Sequence, residues 1–127
     1  IGEEVEKAMK RTQEKFPEVE LVEFTVAPQV TPGSGLPHHE WWVEFSRPPR
    51  DAGAFAQELD QQMRELNVYY DDLISGAILR PLVIRSVQPQ AFIGFMKSQG
   101  KLGGQNKVPR LSNDRKIADE LSKYQIP

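Results

Sequence analysis

At 127 residues, 39% of them hydrophobic, with a net charge of −2, the chain is the size of one domain with a real core and is short for a complete two-substrate enzyme. It has no cysteine, which removes disulfides, thiolate metal sites and cysteine nucleophiles, and no apolar run approaches the roughly 18 residues that span a bilayer. It begins at Ile1 without a basic-then-apolar leader, so a soluble fragment or excised domain is expected, with the cytoplasm as the default compartment.

In chain order, Gly2 to Phe16 places Val5, Ala8, Met9, Thr12 and Phe16 on one helical stripe that Pro17 ends. Glu20 to Ala27 alternates as a strand, with Val22, Phe24 and Val26 on one side and Leu21, Glu23 and Thr25 on the other. Pro28 to His39 reads as a loop of prolines and glycines. Glu40 to Ser46 alternates again, with Trp41, Val43 and Phe45 inward and Glu40, Trp42, Glu44 and Ser46 outward, which suggests an antiparallel pair with a long connection. Asp51 then caps a helix carrying Phe55, Leu59, Met63, Leu66 and Tyr70. Leu82 to Val87, after Pro81, is a compact apolar strand. Pro89 fits the first position of a short helix with Phe92, Ile93 and Met96 inward, and Gly100 fits its stop. Val108 to Leu111 reads as a short strand, and Ser112 or Asn113 caps a last helix bearing Ile117, Leu121 and Tyr124. These elements predict an α+β fold: a small, mainly antiparallel sheet of three to four strands with about four helices, chiefly on one face. Such a fold says little about function.

The charge is uneven. From Lys97 onward the balance is +4, against −6 for the first 96 residues, which suggests a local anion site but not the broad basic face of a general nucleic-acid binder. Other constellations read more simply as structure. His38, His39 and Glu40 are adjacent residues at a strand entry that point in opposite directions, and no second cluster completes a coordination shell, so no metal site is expected there. Asp71 and Asp72, beside Tyr69 and Tyr70, fit a solvated helix end, and two loop histidines make no Ser-His-Asp set. Trp42, a large ring on the nominally polar face, fits either core, covered by another helix, or an interface with another domain.

The cations gather where glycines do. Gly100, Gly103 and Gly104 free the backbone, while Lys101, Lys107 and Arg110 supply charge and Pro109 stiffens the exit. The phosphate-loop pattern GxxxxGK[ST] is absent, since Gln105 follows Gly104. On composition the segment is equally an anion site or a solvated loop.

Its order of residues adds more. Leu66, Asn67 and Tyr70, then Pro81, Leu82 and Ile84, then Gly100, Gln105, Lys107, Val108, Pro109 and Arg110 resemble the C-terminal domain of the auxin-responsive promoter family of acyl acid–amido synthetases, in a form that looks bacterial. The likeness extends through Gly2-Glu3-Glu4, Thr25-Val26-Ala27-Pro28 and His39-Glu40-Trp41, so it covers most of the chain. It implies membership of the acyl-adenylate-forming superfamily. Such ligases activate a carboxylic acid with ATP and magnesium, bound mainly by a large N-terminal domain, and then pass the acyl group to an amino acid. The chain resembles the small C-terminal lid of such an enzyme, residues 1–127 forming one domain that lacks the adenylating domain and is inactive alone. On this resemblance Lys107 is the catalytic cation, Gln105, Arg110 and Lys101 are substrate- or nucleotide-binding, and Gly100, Gly103 and Gly104 form the lid loop. No metal ligand, nucleic acid or membrane partner is implied. The competing expectation is a free-standing α+β module that binds a small ligand or protein without catalysis.

Overall fold

The computed structural model describes residues 2–100 and 107–127. Among them, helix α1 (Gly2–Lys15) is followed by strands β1 (Glu20–Gln29) and β2 (His38–Arg47) and helices α2 (Ala52–Leu66) and α3 (Val68–Ser75). Strand β3 (Val83–Ser86), helix α4 (Ala91–Ser98), helix α5 (Lys116–Leu121) and a 3₁₀ turn over Ser122–Tyr124 complete the order. The sheet runs β1-β2-β3, antiparallel between the first pair and parallel between the second. This is the expected mainly antiparallel α+β sheet.

The apolar stripe of α1 buries Val5, Ala8, Met9 and Thr12, and the Thr12 hydroxyl avoids an unpaired burial by donating to the Ala8 carbonyl at 2.8 Å. That stripe packs with Phe55, Leu59 and Met63 of α2 against Phe24, Val26, Trp41 and Val43 on one sheet face. Both strands run further than expected, to Gln29 and from His38, so the connecting loop is shorter. In β1 the register shifts around Leu21 and Glu23. Such a bulge inserts a residue and exchanges faces. Leu21 therefore joins Phe24 and Val26 against the core, and Val22 is left 50% exposed, opposite to strict alternation.

The second sheet face departs most from expectation. Alternation places Glu40, Trp42 and Glu44 outward, whereas all three are buried. Helices pack on both faces, giving three layers. Trp42 is enclosed by a second core of Ala27, Val87, Phe92, Phe95, Val108 and Leu121, which settles it as core. Glu44 is tolerated there because its carboxylate accepts the backbone N–H groups of Gln90 at 3.0 Å and Phe92 at 3.2 Å. It thus caps α4, whose own N-cap residue, Gln90, is left-handed at φ 74° and makes no side-chain cap bond. Consequently α4 begins at Ala91 rather than Pro89, and Ile93, expected inward, is 50% exposed while Phe95 is buried.

The helix expected to continue through Tyr70 breaks at Asn67, whose backbone is extended. Its amide donates to the Met63 carbonyl at 2.9 Å and its side chain accepts the Tyr70 amide at 2.9 Å, closing α2 and opening α3. The last helix starts at Lys116 rather than beside Ser112 or Asn113, with Asp114 Oδ1 accepting the Lys116 amide at 3.0 Å. No helix among the described residues is long and apolar enough to cross a membrane.

Candidate functional site

The segment from Lys107 to Ser112 lies along the free edge of β1. The Val26 amide donates to the Arg110 carbonyl and the Ser112 amide to the Val26 carbonyl, each at 2.9 Å, and Val26 pairs with Leu111 in parallel. The strand expected over Val108 to Leu111 is therefore one bridge, enough to cover an otherwise open sheet edge. Its side chains divide between the two faces: Val108 is buried in the second core, and Leu111 packs on the first. The Pro109 carbonyl accepts the Thr25 hydroxyl at 2.6 Å. Lys107 is exposed and has no hydrogen-bond or ion-pair partner among the described residues.

Arg110 is differently placed. Its Nε donates to Glu6 Oε1 at 2.6 Å, its Nη1 to Glu23 Oε1 and, at 2.8 Å, to the Phe24 carbonyl, and its guanidinium lies 4.3 Å from the Phe24 ring centroid. Burial opposes its charge, but the two carboxylates outweigh burial and hold its pKa above the ordinary value. Three of its five N–H donors are thus answered by the protein. Gly100 ends the turn after α4 at φ 67°, its amide donating to the Lys97 carbonyl at 3.0 Å, as expected of a helix stop. Lys101, Gly103, Gly104 and Gln105 lie outside the described residues.

A second charged cluster sits beneath α5. Arg85 Nε donates to Glu40 Oε2 at 3.1 Å. Arg115 Nη1 is 2.8 Å from Glu40 Oε1, a charge contact whose aligned hydrogen bond goes instead to the Pro28 carbonyl at 3.0 Å. Burial alone would raise the Glu40 pKa, but Arg115 and Arg85 outweigh it and hold it low. His38, on the same face, has its pKa lowered by burial, as does His39 on the other face, where its ring stacks on Tyr70 at 5.4 Å. Arg115 Nε also lies 3.4 Å from Asp119 Oδ1, so two arginines meet two carboxylates and the cluster holds the layers together instead of presenting a net charge to a ligand.

A family model described as the GH3 family C-terminal domain matches residues 3–116. The chain belongs to this family. Among solved structures, a GH3.15 acyl acid amido synthetase superposes with a TM-score of 0.78 at 20% identity, covering 98% of this chain and 24% of that one. A second, AtGH3.15 acyl acid amido synthetase in complex with 2,4-DB, gives 0.74 at 21% identity with the same coverage of 98% and 24%. At these identities the likeness is one of fold, and this chain spans about a quarter of the length of either. No curated protein matches the chain in sequence.

The GH3 motif residues separate by task. Asn67 joins two helices, and the buried Tyr70 hydroxyl donates to Asp60, whose Oδ1 also accepts the Leu82 amide at 3.1 Å. These are framework roles. Glu6, Glu23 and Thr25, which hold the Lys107 segment, escaped the sequence reading. Their signals are that Glu23 and Thr25 share a strand face and that Thr25 opens the matched stretch Thr25-Val26-Ala27-Pro28.

Proposed function

We infer that this GH3 domain is the lid of an ATP-dependent acyl acid–amido synthetase, a cytoplasmic ligase whose N-terminal domain, in the same protein, forms the acyl-adenylate. The observation that carries the reading is Lys107: an exposed ammonium with no partner among the described residues, at the start of a pinned segment, in a chain matched by the GH3 family C-terminal domain over residues 3–116. A free cation fits a nucleotide phosphate. In this reading magnesium is held mainly by the N-terminal domain, where one or two carboxylates and the substrate phosphates would bind it. ATP, when bound, supplies the leaving pyrophosphate that makes the carboxylate's activation favourable.

Carboxylate attack on the α-phosphate brings anions together and builds charge on the phosphoryl oxygens. A preorganised ammonium stabilises that transition state more than the ground state. Lys107 serves this role, with Lys101 and Gln105 as further contacts to nucleotide or substrate, while Gly100, Gly103 and Gly104 let the loop approach. Arg110 holds the loop's far end. Because the chain from Val108 onward is bonded to β1, Lys107 reaches a distant adenylate by movement of the whole domain, which also closes the site to water that would hydrolyse the intermediate. The acyl group then passes to an amino-acid amine.

The test is pyrophosphate exchange by the protein with its adenylating domain. Lys107→Ala is expected to slow exchange on the order of 10²-fold, the effect of losing one electrostatic donor. Unchanged exchange would remove Lys107 from adenylation.

A further inference from the structure

The clamp on the Lys107 segment carries more than stability. Three kinds of contact converge within five residues of Lys107. A hydroxyl fixes the Pro109 carbonyl at 2.6 Å, two backbone hydrogen bonds of 2.9 Å fix Arg110 and Ser112 to Val26, and two carboxylates from α1 and β1 grip the Arg110 guanidinium. Proline adds a fixed φ between Val108, which is buried in one core, and Arg110. The backbone that follows Lys107 is therefore anchored to a rigid body, while the lysine side chain keeps its own rotations. A side chain held this way keeps its backbone origin in place, and an electrostatic donor is most effective when its placement needs no rearrangement at the moment of reaction.

We propose that Thr25 and Glu23 are positioning residues for the adenylation step, setting where Lys107 stands by holding Pro109 and Arg110. The proposal rests on the lid reading of Lys107. It also separates the two cations of the motif: Arg110 is occupied by Glu6 and Glu23 and serves as the clamp's pin, which leaves Lys107 as the cation that meets the anion.

The experiment uses the protein with its adenylating domain and the variants Thr25→Val, Thr25→Ser, Glu23→Gln, Lys107→Ala and Lys107→Ala/Thr25→Val. Hydrogen exchange is followed in the peptide that spans residues 108–112. Thr25→Val and Glu23→Gln should speed exchange there about tenfold while α2 peptides stay at wild-type rates, and Thr25→Ser should restore protection. Unchanged protection in both variants would overturn the clamp. In pyrophosphate exchange, Thr25→Val should lower kcat roughly tenfold with the KM for ATP within about twofold, because the anchor moves and the nucleotide site does not. Thr25→Ser should recover most of the rate. The double variant should be no slower than Lys107→Ala alone, since a displaced anchor has nothing left to misplace. Losses that multiply would refute positioning and leave the lid reading standing. Full exchange activity in Lys107→Ala would instead overturn the lid reading, and the catalytic meaning of the clamp with it.

Discussion

Replacing Tyr70 by Phe removes one hydroxyl and leaves the ring, so its effect isolates a single buried interaction. That hydroxyl donates to Asp60, which also accepts the Leu82 amide at 3.1 Å on the same oxygen. One carboxylate thus ties α2, α3 and the start of β3 together inside the first core. Burial, reinforced by Asp60, pushes the Tyr70 pKa upward, so the hydroxyl keeps its proton and remains a donor. A hydrogen bond to a charged acceptor contributes about 1.5–3 kcal/mol, and no cavity is opened. We expect Tyr70→Phe to cost about 2 kcal/mol in urea unfolding with an unchanged m-value, or roughly 8 °C in Tm at about 4 °C per kcal/mol for this size. Asp60→Ala strands two buried donors and should cost more, while the double variant should show a coupling of about 1–3 kcal/mol. The pH dependence has a definite sign. With the folded pKa raised, the contribution is complete below the unfolded value of about 10 and declines as the unfolded chain ionises, so the gap between wild type and Tyr70→Phe should narrow above pH 10. A cost under about 0.5 kcal/mol, or strictly additive losses, would refute this account of the pair.

Two further perturbations follow from the second sheet face. Glu44→Gln keeps one acceptor for the Gln90 and Phe92 amides but loses the charge at the α4 N-terminus; it should cost about 1–2 kcal/mol, read as a fall in the urea midpoint. Acid should destabilise the fold in two stages. His38 and His39 have pKa values lowered by burial, so the unfolded chain binds more protons and stability present above about pH 6.5 is lost as pH falls through the folded values. Glu40, also lowered, adds its loss below about pH 4.5. Urea midpoints from pH 7 to pH 4 should fall throughout, and His39→Gln should flatten the upper stage; a flat wild-type profile would contradict the assignments.

Periodicity made most elements legible, because each helix and strand has one face on a core and the patterns of 3.6 and 2 survive in the residues. It misled where structure breaks without breaking the pattern. Leu66 and Tyr70 both pack inward across the interruption at Asn67, so the stripe reads as one helix. The bulge at Leu21 inverts parity with no change in residue type. Glu40 and Glu44 look solvated because alternation reports polarity, whereas their burial depends on donors from elsewhere: Arg85 and Arg115 for one, the start of α4 for the other.

The same limit governs the site. By composition Arg110 and Lys107 are alike, two cations three residues apart beside glycines and both available to an anion. What distinguishes them is contact with Glu6 and Glu23, which lie 104 and 87 residues away along the chain. No local pattern contains that information, since the partners meet only after α1 and β1 have packed and the segment has docked on the β1 edge. Once it docks, the charge on Arg110 is matched by two carboxylates. An incoming phosphate would meet a guanidinium already paired with two carboxylates, while Lys107 has no such partner among the described residues.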